Sequence, residues 1–326
     1  MTVTRALSGI VLCFAAVAVS AQEIPILRAS ANAPANLLST RSVALYDHRL
    51  TPQELNDFQR GFQRIGIDAV AYFPIDVVFS GKDGMLGYMG YLNERQISFL
   101  LFLQKAPEGY RFTAATYNQK PTLIDTATAA WQVGNARLND LLTTVLQDSW
   151  RSQKKSNYLV NEFPETDIKV DAVRGRRQEF YAIDLRIDNL AVPKFGKEAM
   201  DKALEDFFVA NYPLRYKIVD AGSDEQELRR KGFSYVLCYV HTRGEAAKQV
   251  LDYDLSKGEK SYASIAYPEG QLQLKVLPKD EIVYKFYFRH IDNGNIYLGT
   301  KWDADINWLD ALRNHVLGFK QEAKIN

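Results

Sequence analysis

Apolar residues along this chain repeat with the period of a helix at two places 171 positions apart. Trp131, Leu138, Leu141, Val145 and Leu146 match Trp302, Leu309, Leu312, Val316 and Leu317 without a gap. These steps place the side chains on one stripe of an α-helix. Each copy is therefore expected to close a fold unit with an amphipathic helix led by a buried tryptophan. In the first unit, 42–46 reads as a short strand, and Thr51-Pro52-Gln53-Glu54 offers a capping box with proline at the first helical position. Leu55, Phe58, Phe62 and Ile65 follow at helical spacing, and Gly66 stops the helix. Strands at 68–72, 97–104 and 110–117 and a helix at 86–95 complete this unit.

The second unit repeats much of that order. Residues 180–190 alternate, with Ile183, Leu185 and Ile187 on one face and Asp184, Arg186 and Asp188 on the other, which predicts a half-buried strand. A helix at 197–211 and a strand at 216–219 follow, then a short helix opened by Ser223-Asp224-Glu225-Gln226 and ended by Gly232. Strands are predicted at 233–241, 261–267, 271–276 and 282–290, and Asp292-Asn293-Gly294-Asn295 is a hairpin turn into 296–300. The fold class is α+β: two tandem, related domains, each a mostly antiparallel sheet packed with helices. Residues 22–40 read as a flexible leader, 41–155 as the first domain and 156–326 as the second, with a polar hinge at 151–156 and the boundary between 150 and 180.

Residues 1–21 have Arg5 ahead of an apolar run and end on Val19-Ser20-Ala21, the pattern of a secretory signal peptide cleaved before Gln22. The run is shorter than the roughly 20 residues a spanning helix needs, and no second one follows. A periplasmic or secreted location is the expectation. Arg5 is the only charge lost on cleavage, so acidic and basic residues then balance at zero net charge. That balance argues against nucleic-acid binding, which needs a basic face. Cys238 is the single cysteine left, within the strand-like Tyr235-Val236-Leu237-Cys238-Tyr239-Val240. It excludes an intramolecular disulfide and a zinc cluster and reads as a buried, inert thiol.

The order of elements over 41–322 resembles the amino-terminal domain of the translocation protein TolB and the related α/β domains of curli-secretion and lipoprotein-cofactor proteins. The resemblance rests on topology in both halves, without a shared motif or the β-propeller repeats that follow that domain in TolB. It implies a non-catalytic envelope protein that binds partners.

Chemistry is sparse along the chain. There is no Gly-x-Ser-x-Gly, His-Glu-x-x-His, Walker or Cys-x-x-Cys motif. His48, His241, His290 and His315 are scattered, with His241 and His290 at ends of adjacent-looking strands. The Gly-rich run 81–90 lacks dinucleotide spacing and reads as a turn into a helix, and Asp252-Tyr253-Asp254 lacks the glycine and glutamate of a calcium loop. Asp303 and Asp305 beside Trp302 could flank a glycosidic bond, but helix capping is the favoured account. Arg174, Arg176 and Arg177 form the densest basic patch, a candidate grip for an anionic polymer or an acidic partner. On 282–290, Tyr284, Phe286 and Phe288 should face the core, leaving Lys285, Tyr287 and Arg289 as an outward contact row.

Together these features predict an exported binding or scaffold protein of the bacterial envelope, with an envelope protein or polymer as partner and neither catalysis nor cofactor nor metal. The alternatives are a hydrolase or carbohydrate-active enzyme using acidic residues of the second half, and a small-molecule binder with an aromatic pocket between the halves.

Overall fold

The computed structural model describes residues 28–325 apart from 31, 126, 153–159, 161–162, 166–167 and 174. Residues 1–21, read as a signal peptide, most of the expected hinge and Arg174 lie outside the described residues. The first part of the chain gives β1 (Arg28–Ser30), β2 (Arg41–Tyr46), α1 (Pro52–Ile65), β3 (Asp68–Pro74), α2 (Ile75–Val78), α3 (Lys82–Glu94), β4 (Ile97–Ala106), β5 (Gly109–Thr116), β6 (Ala129–Asn135) and α4 (Leu138–Ser152). The second gives β7 (Arg177–Gln178), β8 (Leu190–Pro193), α5 (Glu198–Asn211), β9 (Tyr216–Val219), α6 (Glu225–Arg230), β10 (Tyr235–Arg243), α7 (Gly244–Val250), β11 (Ser261–Ala266), β12 (Gln273–Pro278), β13 (Ile282–His290), β14 (Ile296–Tyr297) and α8 (Trp308–Glu322).

Two six-stranded sheets result, ordered β1-β6-β5-β4-β2-β3 and β7-β14-β13-β10-β8-β9, and β11 and β12 pair separately. Strand for strand the two orders correspond, and so do the pairings. In the first sheet β2 runs parallel to β3 and β4, and β1 to β6, while β4-β5 and β5-β6 are antiparallel. In the second, β8 runs parallel to β9 and β10, and β7 to β14, with β10-β13 and β13-β14 antiparallel. The α+β class stands, but the sheets are mixed where mostly antiparallel ones were expected. Apolar periodicity does not record strand direction. A helix between two neighbouring strands does, because α1 and α5 return the chain to start the next strand at the same end.

Each sheet is covered on both faces. Phe58 and Phe62 of α1 and Leu141 and Val145 of α4 pack with Phe99, Leu101 and Phe112 on the outer face of the first sheet. Leu204 and Phe208 of α5 and Leu312, Val316 and Phe319 of α8 do the same with Leu237, Phe286 and Phe288 of the second. The inner faces share one core, in which Val43, Leu100, Phe102, Val77 and Val78 meet Val240, Val250, Val283, Tyr287 and Trp302. The start of α1 is as the sequence predicts: the Thr51 side chain accepts from Glu54 N, Glu54 returns the bond to Thr51 N, and Gly66 ends the helix at φ 92°.

Several expectations are corrected. The closing helices start at Leu138 and Trp308, after the matched tryptophans, so Trp131 and Trp302 precede the helices instead of leading them. They also belong to different cores. Trp131 sits on β6 against Phe112 in the outer core, and Trp302 lies in the shared core against Tyr253. The alternating run at 180–190 is not a strand but a 3-10 turn at Ile183–Arg186, in which only Leu185 is buried and Ile187 is 70% exposed. The leader is partly built in, since Arg28–Ser30 adds to β6 and Leu37 and Leu38 are buried. Among the described residues no helix is long and apolar enough to cross a membrane.

Candidate functional site

In both sheets the crossovers leave a central strand on opposite faces. From β8, α5 crosses on the outer face to β9, and α6 returns on the other face, where Leu228 packs with Ala191, Phe233 and Val236, to enter β10. The junction between β8 and β10 is a topological switch point, where a crevice opens beyond the carboxyl ends of parallel strands. The same junction exists between β2 and β4, and side chains treat the two differently.

At the first junction ion pairs cross the crevice. Asp47, just past β2, accepts from Arg49 Nε at 3.0 Å and from the backbone N–H groups of Arg49 and Lys105. Burial alone would raise its pKa, but the Arg49 bonds carry it below the ordinary carboxylate value. His48 Nδ1 lies 3.5 Å from Asp47 and 3.9 Å from Asp76. Arg243, at the end of β10, reaches across to pair with Asp76 and also donates to Asp280 Oδ1 at 2.6 Å. Burial, and then the Arg243 charge, push the His48 pKa down.

At the second junction a cavity of about 180 Å³ remains. Val236, Leu237, Cys238 and Phe286 form its floor, and Phe195, Lys194, Ser223 and Glu225 surround it together with Lys82 and Asp83 from α3. The site is thus built between the two sheets. Gly81 lets α3 approach, since a Cβ there would stand 2.9 Å from the Tyr239 carbonyl oxygen, and its φ of 149° favours glycine. Asp83 accepts from the Tyr287 hydroxyl and pairs with Arg289 at 3.1 Å, and Arg289 also reaches Glu225. Burial opposes the Arg289 charge, but the surrounding acidic groups hold its pKa above the usual value. Its Nε is buried without a hydrogen-bond partner. Cys238 is half-buried and opens on the cavity, with burial and then Asp83 raising its thiol pKa, so it stays protonated.

These positions correct the expected contact row on β13. Lys285 and Tyr287 are fully buried, and the Arg289 side chain is 14% exposed: α3 of the first half meets Tyr287 and Arg289 through Asp83, while Lys285 is enclosed by groups of the second half. Tyr284, Phe286 and Phe288 do face the helix-covered core. Lys285 instead belongs to a buried cluster: its Nζ lies 2.6 Å from Asp303 Oδ1 and donates to the Leu298 carbonyl at 2.7 Å, while His315 Nδ1 is 3.0 Å from Asp303 Oδ2. Burial, with Lys285 adding to it, lowers the His315 pKa to about 4. Burial would raise Asp303, but Lys285 and His315 bring it below its ordinary value. Asp303 therefore does not cap α8, and Asp305 is held by Lys275 at 2.7 Å. Asn307 is the N-cap, accepting from the N–H groups of Leu309 and Asp310.

Of the basic patch, Arg176 and Arg177 line one cleft, apart from the cavity at the second junction; Arg177 lies on β7, stacks over Tyr253 at 4.1 Å and pairs with Glu179. Neither joins Arg289. Antiparallel pairing sends His241 and His290 to opposite ends of the β10-β13 ladder, opposite Tyr284 and Tyr235. Among the described residues no group of three or more His, Cys, Asp or Glu side chains could hold a metal ion. Sequence reading missed His315, although a signal existed: it falls within the buried stripe of Leu312, Val316 and Phe319 on α8, where a polar residue needs a partner.

The class defined here is an α+β protein of two like-ordered mixed sheets with one open switch-point crevice. Compared with protein-family models, curated proteins and solved structures, the chain finds no match in any of the three.

Proposed function

We propose that this is an exported, non-catalytic binding protein of the bacterial envelope that takes a small ligand with an apolar body and an anionic end in the crevice beside β8. The carrying observation is that a cavity opens at this junction, whereas at its counterpart beside β2 Arg243 crosses from the other sheet to pair with the buried Asp76. A cavity near 180 Å³ falls below the roughly 300–1,000 Å³ of drug-sized sites, so the ligand is small. Phe195, Leu204, Val236 and Phe286 supply apolar wall, while Lys82 and Lys194 stand at the rim and Arg289 Nε has an unused donor. The protonated thiol of Cys238, and the engagement of Asp83 and Glu225 by Arg289, favour holding a ligand over transforming it. The hydrolase alternative rested on Asp303 and Asp305, which are engaged by Lys285, His315 and Lys275.

Thermal unfolding against a panel of small aliphatic and aromatic carboxylates and phosphates tests this reading. A ligand at about 100 times its Kd should add about 2.7 kcal/mol of stability. Ser223→Trp, at the rim, should abolish the response by filling the crevice. A panel without any response, or one whose response survives Ser223→Trp, would overturn the proposal. Export is tested separately by mass spectrometry of the amino terminus in the producing cell, with Gln22 as the expected first residue.

A further inference from the structure

The hairpin of β11 and β12 has no counterpart in the first sheet, where β4 passes directly into β5. Its outer strand is bare. Among the described residues β12 pairs only with β11. The Lys279 N–H donates to the Lys260 carbonyl, so Leu277, Lys275 and Gln273, at alternate positions, direct their backbone groups toward β11. Val276 and Leu274 then direct theirs to the open edge. Side chains of the same parity form an apolar row, with Leu272 51%, Leu274 71% and Val276 67% exposed. The other face is satisfied, since Leu277 is buried and Lys275 bridges to Asp305. The partner of Leu274 across the hairpin, Ile265, is buried, so the covered surface stops one strand short of the edge. Natural sheets guard such an edge with lysine, proline or a covering element. Here Pro278 guards only the end of the strand, and Lys275 points to the opposite face.

We infer that β12 is the contact surface for a second copy of this chain, paired antiparallel about a two-fold axis at Leu274 to join two hairpins into one four-stranded sheet. The sequence is complementary to itself in this register. Leu274 faces Leu274 of the second copy, Leu272 faces Val276, and the three pairs are of the type that exchanges two backbone bonds each, about six in all. Gln273 stands opposite Lys275, and beyond the strand ends Glu269 falls on the side of Lys279 of the second copy. Moving the axis by one residue to Lys275 would oppose two like charges and turn the free backbone groups away. The match in hydrogen bonding, apolar row and charge selects a second copy over an unrelated strand. A six-residue strand pair buries less than the roughly 1,200–2,000 Å² of a standard interface, so the dimer should be reversible and concentration-dependent.

Light scattering on the purified protein, from low to high micromolar concentration, should show the mass rising toward twice that of the chain. Leu274→Lys should restore the single-chain mass at every concentration, with an unchanged circular dichroism spectrum and melting temperature as proof of folding. Oxidation of Leu274→Cys should give a covalent dimer, because paired residues of this kind lie about 5.5 Å apart between Cα atoms, within disulfide reach. Gln273→Cys should not, since its opposite number is Lys275. A protein monomeric throughout, a dimer indifferent to Leu274→Lys, or equal crosslinking at both positions would overturn the inference.

Discussion

The junction beside β2 and the junction beside β8 have corresponding strands and the same strand directions, yet one is crossed by ion pairs and the other opens a cavity with apolar walls. Topology therefore provides the crevice, and side chains decide whether it is available. At β2, Asp47 and His48 are followed by Arg49, which folds back on its own turn, and Arg243 enters from the other sheet. At β8, the corresponding turn carries Pro193, Lys194 and Phe195, and α3 of the first sheet contributes to the wall without filling the space. Each sheet thus completes the junction of the other, the second with the Arg243 pair to Asp76 and the first with the wall of Lys82 and Asp83.

The severest way to break this contrast is to unseal the first crevice. Arg243→Met removes the guanidinium that faces Asp76, a carboxylate 7% exposed, and two further carboxylates. Loss of one member of a buried pair typically costs about 3–5 kcal/mol, a loss of that size is expected, and urea unfolding measures it. A change below about 1 kcal/mol, the range of exposed pairs, would mean that the first crevice is hydrated and no different in kind from the second.

Much of the framework, but little of the contrast, was legible in the sequence. Thr51, Glu54 and Gly66 encode α1 locally, and Asp224 and Gly232 bound α6, because caps act within a few residues. The repeat at 171 positions marked α4 and α8 as helices, although they begin seven and six residues after the tryptophans expected to lead them. The misread positions answer to distant partners. Lys285, Tyr287 and Arg289 alternate with apolar residues as an exposed row would, and only partners distant in sequence, Asp83 for Tyr287 and Arg289 and Asp303 for Lys285, show that they are buried. Arg243 seals a crevice 167 positions away in sequence from Asp76, and no local pattern encodes such a reach.

Acid offers the next test, since the buried ion cluster exists only in the second half. Positions 132 and 144, equivalent by the repeat to Asp303 and His315, hold Gln132 and Thr144. His315 has a folded pKa of about 4 against about 6.5 unfolded. Between those values the unfolded chain binds the extra proton, so stability is full above pH 6.5 and falls as the pH drops toward 4. At about 1.4 kcal/mol per pH unit the loss is roughly 3 kcal/mol. Glu54, in the first half, has its pKa lowered to about 2: burial opposes this, but Lys105 and the capping bonds prevail. It weakens the fold only below its unfolded pKa of about 4.5, in a separate window. Urea midpoints in steps from pH 7 to pH 4 should fall for the wild type and stay flatter for His315→Gln. Parallel curves would remove His315 as the cause.

The contact that builds the open crevice can be stressed more gently at Gly81. A φ of 149° with ψ near 180° is backbone that other residues enter at about 1–3 kcal/mol, and the Tyr239 carbonyl adds a clash. Gly81→Ala should therefore destabilise by that amount and push α3 away from β10, weakening any ligand response while leaving the Arg243 seal in place. Ligand binding unaffected at reduced stability would place the site outside the wall contributed by Lys82 and Asp83.

The smallest expected effect separates the two crevices most cleanly, because it compares equivalent helices. α1 is started by the Thr51 capping box. α5, its counterpart, is approached by a turn in which Asp201 Oδ1 accepts from the Phe195 N–H at 2.7 Å and the Gly196 N–H at 3.2 Å. Phe195 is itself crevice wall, in tilted and edge-on contact with Tyr239 and Trp308 at centroid distances of 5.4 and 4.9 Å. Thr51→Ala and Asp201→Ala should each cost about 1 kcal/mol in urea unfolding, the usual worth of such a bond. Only Asp201→Ala should also reduce the ligand-induced stabilisation, because it frees the loop that positions Phe195. Equal ligand responses in the two variants would show that Phe195 is held by its ring contacts alone, and that the open crevice owes its shape to packing and not to the helix start beneath it.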